Sequence, residues 1–126
     1  MANLLSNPPK KSIIYRDENV CACLAKRSLA DGHTIITWRK RINDLNTLDN
    51  RSYDYLMDTV FAVREALMVT LKVKKVYLFY MDESNYVHWH LIPRYKIKGF
   101  DVFRHEEMET KNFSLAEKIK TNLFFK

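Results

Sequence analysis

The sequence predicts an α+β domain with a mainly antiparallel sheet. Three observations lead there. Five short runs are rich in β-branched and aromatic residues, the mark of strands. One stretch of about five turns repeats apolar residues every three or four positions, the mark of an amphipathic helix. The last two strand runs are joined by only a few residues, which forces an antiparallel hairpin. The order is three strands, a helix, two strands and a tail helix, and strands grouped around one helix give this class. A chain of 126 residues fits one domain, and 47% hydrophobic content is enough for its core.

The elements follow in order. Residues 1–11 hold Asn7-Pro8-Pro9-Lys10-Lys11 and read as an irregular lead-in. Residues 12–16 form a first strand around Ile13 and Ile14, and Asp17-Glu18-Asn19 a turn. Residues 20–25 form a second strand. Residues 26–32 are a polar connection that ends in the turn pair Asp31-Gly32. Residues 33–38 are a third strand, and residues 39–48 a turn or short helix. Asp49 or Asn50 caps the long helix by accepting from first-turn amides. Its stripe is Tyr53, Leu56, Met57, Val60, Val63, Leu67 and Leu71, a core face. Lys72-Val73-Lys74 ends it. Residues 75–81 are a fourth strand, and Asp82-Glu83-Ser84-Asn85 links it to the fifth. Residues 95–109 mix aromatics and charges, with His105 expected to be exposed. Ser114-Leu115-Ala116-Glu117 reads as a capping box for a terminal helix carrying Leu115, Ile119 and Leu123.

Tyr86-Val87-His88-Trp89-His90-Leu91-Ile92-Pro93 is the fifth strand and the most informative run. On a strand, side chains two apart share a face, so Tyr86, His88 and His90 project together and Val87, Trp89 and Leu91 pack inward. At a rise of roughly 3.3 Å per residue the two imidazoles stand about 7 Å apart. Such a pair fits three roles: two metal ligands awaiting a third, a nucleophile or base with its assistant, or two ordinary half-buried histidines. Cys21 and Cys23 also share a face. Same-strand neighbours are poorly placed for a disulfide, and C-x-C alone is a poor zinc site. Both read as small pocket or core residues.

The net charge of +6, with a pI near 9.3, favours anionic ligands. Arg39-Lys40-Arg41 and Lys72, Lys74 and Lys75 contribute to it. No nucleic-acid-binding signature accompanies this charge, so nucleic acid is not an expected partner. No run approaches the roughly 20 apolar residues of a membrane span, and the first eleven residues lack the apolar centre of a signal peptide. A cytoplasmic protein without a membrane partner is expected.

His88-Trp89-His90-Leu91-Ile92-Pro93-Arg94-Tyr95 resembles the signature of the histidine triad (HIT) superfamily, in the form found in a bacterial branch of HIT hydrolases. Tyr86 stands at the first histidine position. Upstream, Leu29-Ala30-Asp31-Gly32-His33-Thr34-Ile35-Ile36 resembles the family segment whose histidine joins the triad at the phosphate. The resemblance covers residues 12–104, leaving residues 105–126 as a tail with a short helix. It implies a five-stranded antiparallel sheet with the long helix packed on it, and a homodimer.

The resemblance also implies a reaction. His88 takes the nucleophile position and His90 and His33 the supporting ones, with Tyr86 beside them. Attack on the α-phosphorus of a nucleotide-containing anhydride or phosphoramidate gives a nucleotidyl-His88 intermediate, without a metal or other cofactor for that step. A neutral imidazole suits the role, and splitting one displacement into two lowers the barrier. The candidate substrate-binding residues are Cys23, Ala25, Arg41, Asp82, Glu83 and Asn85. Ala25 stands where the family usually has an Asp or Asn on the ribose hydroxyls, so weak discrimination between ribose and deoxyribose is expected. Asp82 or Glu83 falls near the leaving group, where a carboxylate repels polyphosphate unless it is turned away. Arg41 replaces a further family histidine. Two alternatives stay open: a weakened HIT domain that binds a nucleotide or a protein partner, and a metal-dependent hydrolase using His33, His88 and His90.

Overall fold

The computed structural model describes residues 7–83, 85–104 and 106–125. The part of the lead-in before residue 7, Ser84 of the hairpin link and the expected exposure of His105 lie outside the described residues. The five expected runs form strands β1 (Ile13–Arg16), β2 (Val20–Leu24), β4 (Thr34–Trp38), β5 (Val76–Met81) and β6 (His88–Pro93). They make one sheet in the order β1-β2-β4-β6-β5, every pairing antiparallel. Two further two-residue strands, β3 (Arg27–Ser28) and β7 (Met108–Glu109), pair with each other. The sequence does not show them, because two residues carry no periodicity.

Helix α1 (Asn50–Leu71) lies on one face of the sheet and α2 (Leu115–Thr121) beside it, against β1. Asp49 caps α1, its carboxylate accepting from the Ser52 amide at 2.7 Å. Leu56, Val60, Val63 and Leu67 are fully buried against Ile14, Val20, Ile36 and Leu91. Burial of each such side chain contributes about 1.5–3 kcal/mol. Tyr53 departs from the expected stripe and is exposed, being one turn before the helix reaches the sheet core. The helix stops at Lys72 in the left-handed conformation, φ +55°.

The expected capping box at Ser114 does not form. Ser114 Oγ donates to Asn112 Oδ1 instead, because its backbone is already helical and its hydroxyl does not reach the next amides. Residues 39–48 resolve into a single 3-10 turn, Leu45–Thr47, capped by Asp44.

Gly32 ties the sheet to the helix. Its φ is +87°, and an added Cβ would lie 2.5 Å from Leu71 Cδ1. No helix among the described residues is long and apolar enough to cross a membrane.

Candidate active site

Strand alternation puts Ile14, Ala22, Ile36 and Leu91 on the helix face of the sheet. The opposite face carries two cross-strand rows. One is Cys23, Ile35, His90 and Phe79; the other is Cys21, Thr37, His88 and Met81. His33 immediately precedes β4, in step with Ile35 and Thr37, and so joins this face. The register thus assembles His33, His88 and His90 from two neighbouring strands.

The ring centroids of His88 and His90 are 5.1 Å apart, as are those of His33 and His90. The rings lean together, closer than the 7 Å that an ideal strand gives. Tyr86 departs from the expected pattern. β6 begins at His88, and Tyr86 lies in the bend before it, with its side chain largely buried. The bend aims its carbonyl at His88, whose Nδ1 lies 2.9 Å away.

Hydrogen-bond chemistry fixes the tautomers. A carbonyl only accepts, so His88 Nδ1 carries the proton and Nε2 keeps the lone pair. The Leu29 amide donates to His33 Nδ1 at 3.1 Å, so the proton of neutral His33 sits on Nε2. That nitrogen is 2.9 Å from His90 Nδ1 and donates to it. His90 therefore carries its own proton on Nε2. Burial holds both rings neutral. Desolvation, with His90 nearby, lowers the His33 pKa to about 3. Desolvation, with His88 nearby, lowers that of His90 to about 4.

The metal-ligand reading of the three histidines does not match this arrangement. The facing nitrogens of His33 and His90 spend their lone pair and proton on each other at hydrogen-bond distance. Among the described residues, no group of three His, Cys, Asp or Glu is arranged to hold a metal ion.

The other candidates lie further out. Cys21 and Cys23 are free and buried. Cys23 and Ala25 are only 5% and 2% exposed. The Ala25 carbonyl accepts from Thr110 Oγ1, and its amide donates to the His33 carbonyl. Arg41 and Asn85 come together in a polar cleft of about 360 Å³ with Ile42, Asn43 and Thr47. Asn85 is left-handed, φ +63°. Asp82 points elsewhere: its carboxylate accepts from Tyr80 Oη at 2.7 Å, and the Tyr80 ring packs on Trp89 on the helix face. Glu83 is exposed. Two contributors escaped sequence reasoning, the Leu29 amide and the Tyr86 carbonyl, since backbone groups leave no residue-type signal. Phe79 escaped too, although its two-residue offset from Tyr77 and Met81 marks that face.

The HIT domain family model matches residues 7–97. No curated protein matches the chain. Among solved structures, a Hit-like protein involved in cell-cycle regulation from Bartonella henselae is similar at 20% identity and TM-score 0.76, over 96% of this chain and 92% of that one. A hypothetical histidine triad nucleotide-binding protein from Sulfolobus tokodaii aligns at 20% identity and TM-score 0.74, over 96% and 89%. The diadenosine triphosphate hydrolase of Plasmodium falciparum aligns at 17% identity and TM-score 0.64, over 90% and 76%.

Proposed function

The chain belongs to the HIT domain family, and we propose that it is a hydrolase or nucleotidyl transferase acting on a nucleotide-containing phosphoric anhydride or phosphoramidate. The observation that carries this reading is the bond between His88 Nδ1 and the Tyr86 carbonyl, which leaves the Nε2 lone pair available for attack. In the first step that pair bonds to the α-phosphorus. The bond from phosphorus to the leaving group breaks, and its electrons depart with that group. An amine leaving group also takes up a solvent proton. Water then bonds to phosphorus and loses a proton to solvent, and the electrons of the P–Nε2 bond return to His88. A different acceptor in place of water makes the reaction a transfer.

The supporting roles follow from the tautomers. His90, held by His33, keeps an Nε2–H donor with which to stabilise charge on a phosphoryl oxygen. Asp82, bonded to Tyr80, is kept from opposing an anionic leaving group. Arg41 and Asn85 offer donors for such a group in their cleft. Ala25 offers no acceptor for a ribose hydroxyl, so ribo- and deoxyribonucleotide substrates are expected to differ by less than about 1 kcal/mol in catalytic efficiency.

The substrate reading draws on the nucleotide-binding protein and the diadenosine triphosphate hydrolase of the same fold. A homodimer is part of the proposal. β5 is an edge strand, with Leu78 36% exposed, and Phe61 of α1 is 58% exposed. The Arg64 Nε donates to the Val76 carbonyl, so this side of α1 lies along β5. A second copy would cover this strip.

The test is turnover of an adenosine phosphoramidate by wild type and His88→Ala, with acid-labile label trapped on the protein. Turnover and label should both vanish in the variant while its circular dichroism is unchanged. Near-wild-type turnover by His88→Ala would refute the mechanism. Nucleotide binding by wild type without any turnover would instead identify a binding domain.

A further inference from the structure

A second cavity lies away from His88. It measures about 260 Å³ and is bounded by Leu29, Ala30, Pro93, Ile97 and Val102. Tyr95 closes one side, its hydroxyl donating to the Asp31 carbonyl at 2.6 Å. Among the described residues, Lys96 is the only charged one in its lining. Its walls are otherwise largely apolar and include none of the three histidines, so this is a different site. Its volume falls just under the roughly 300–1,000 Å³ of pockets for drug-sized ligands. The occupant is therefore small, mostly apolar, and complementary to one ammonium group at the rim.

Two of the lining residues also hold the histidine relay. The Leu29 amide donates to His33 Nδ1, and the Ala30 carbonyl accepts from the His33 amide at 3.0 Å. The next residue, Asp31, is tied to Tyr95 on the opposite wall. Leu29 and Ala30 thus line the cavity and also hold His33 through their backbone groups. A ligand chain packed against Leu29 and Ala30 would add dispersion contacts to the segment that holds His33.

We propose that this cavity binds a small amphiphilic carboxylate, its chain against Leu29, Ala30, Ile97 and Val102 and its head at Lys96, and that occupancy stiffens the Leu29–His33 contact. The site goes beyond the phosphoryl chemistry, and binding to it does not depend on that reading.

Octanoate is the probe, titrated by calorimetry into the whole chain, with amide exchange and histidine nitrogen shifts followed by NMR. Saturable binding is expected in wild type. Ala30→Leu, which fills the cavity, and Ile97→Asp, which sets a carboxylate at its rim, should each weaken binding more than tenfold. Lys96→Gln should weaken it two- to fivefold, the reach of an exposed ion pair. Octanoate should slow exchange of the Leu29 amide in wild type and shift the His33 ring nitrogens. Absence of binding, or binding that survives both Ala30→Leu and Ile97→Asp, overturns the site. Binding at the site that leaves Leu29 exchange unchanged overturns the coupling. Neither result bears on whether His88 attacks phosphorus, which the His88→Ala assay decides separately.

Discussion

Acidification from pH 7 to pH 5 should destabilise this protein by about 4 kcal/mol, and the His33–His90 pair should be responsible. Both rings are held neutral by burial, at about 3 and about 4, while the unfolded chain titrates near 6.5. Between those values the unfolded state binds more protons than the folded one, so stability rises with pH. The full contribution is present above pH 6.5 and is lost progressively as pH falls toward the folded values. At pH 5 each histidine has forfeited about 1.5 pH units at 1.36 kcal/mol per unit, or about 2 kcal/mol. The lowered carboxyl pKa values of Asp17 and Asp49 act only below about pH 5, where the unfolded carboxyls begin to protonate, and so leave this window nearly untouched. Urea unfolding at the two pH values is the assay. With a slope near 2 kcal/mol per molar, the midpoint should fall by roughly 2 M. His33→Gln should halve that fall. Equal midpoints at pH 7 and 5, or an unchanged pH slope in His33→Gln, would refute the neutral relay.

Three further outcomes are expected. Gly32→Ala should cost about 1–3 kcal/mol, read by urea unfolding, because its Cβ meets Leu71 Cδ1 at 2.5 Å on a backbone with φ +87°. Arg41→Ala should raise KM for a nucleoside polyphosphate about tenfold or less, and leave KM for a phosphoramidate within twofold, as steady-state kinetics on both substrates will show. Leu78→Asp should shift the mass in light scattering from near 30 kDa to the 15.0 kDa of one chain; a wild type already at 15.0 kDa at all concentrations would refute the dimer.

Local pattern was enough for much of this protein. Runs rich in β-branched and aromatic residues marked the five strands of the main sheet, three- and four-residue spacing marked α1, and its cap lay between Asp49 and Asn50, of which Asp49 does the capping. These depend on side chains a few residues apart, whose relative positions a single period dictates. The grouping of His33 with His88 and His90 came instead from the resemblance of two segments to the HIT family, not from any local period. Tertiary structure decided what those histidines can do. The relay joins residues 57 apart in sequence, and it exists only because the β4–β6 register sets Ile35 opposite His90. The Tyr86 carbonyl faces His88 because the chain bends before β6, where alternation implied a continuous strand. Asp82 turns to the helix face because Tyr80, two residues earlier, points there and captures it. Only the His33–His90 bond joins distant segments; the Leu29, Tyr86 and Tyr80 partners stand two to four residues away, and local bends of the backbone, which no period encodes, bring them into reach.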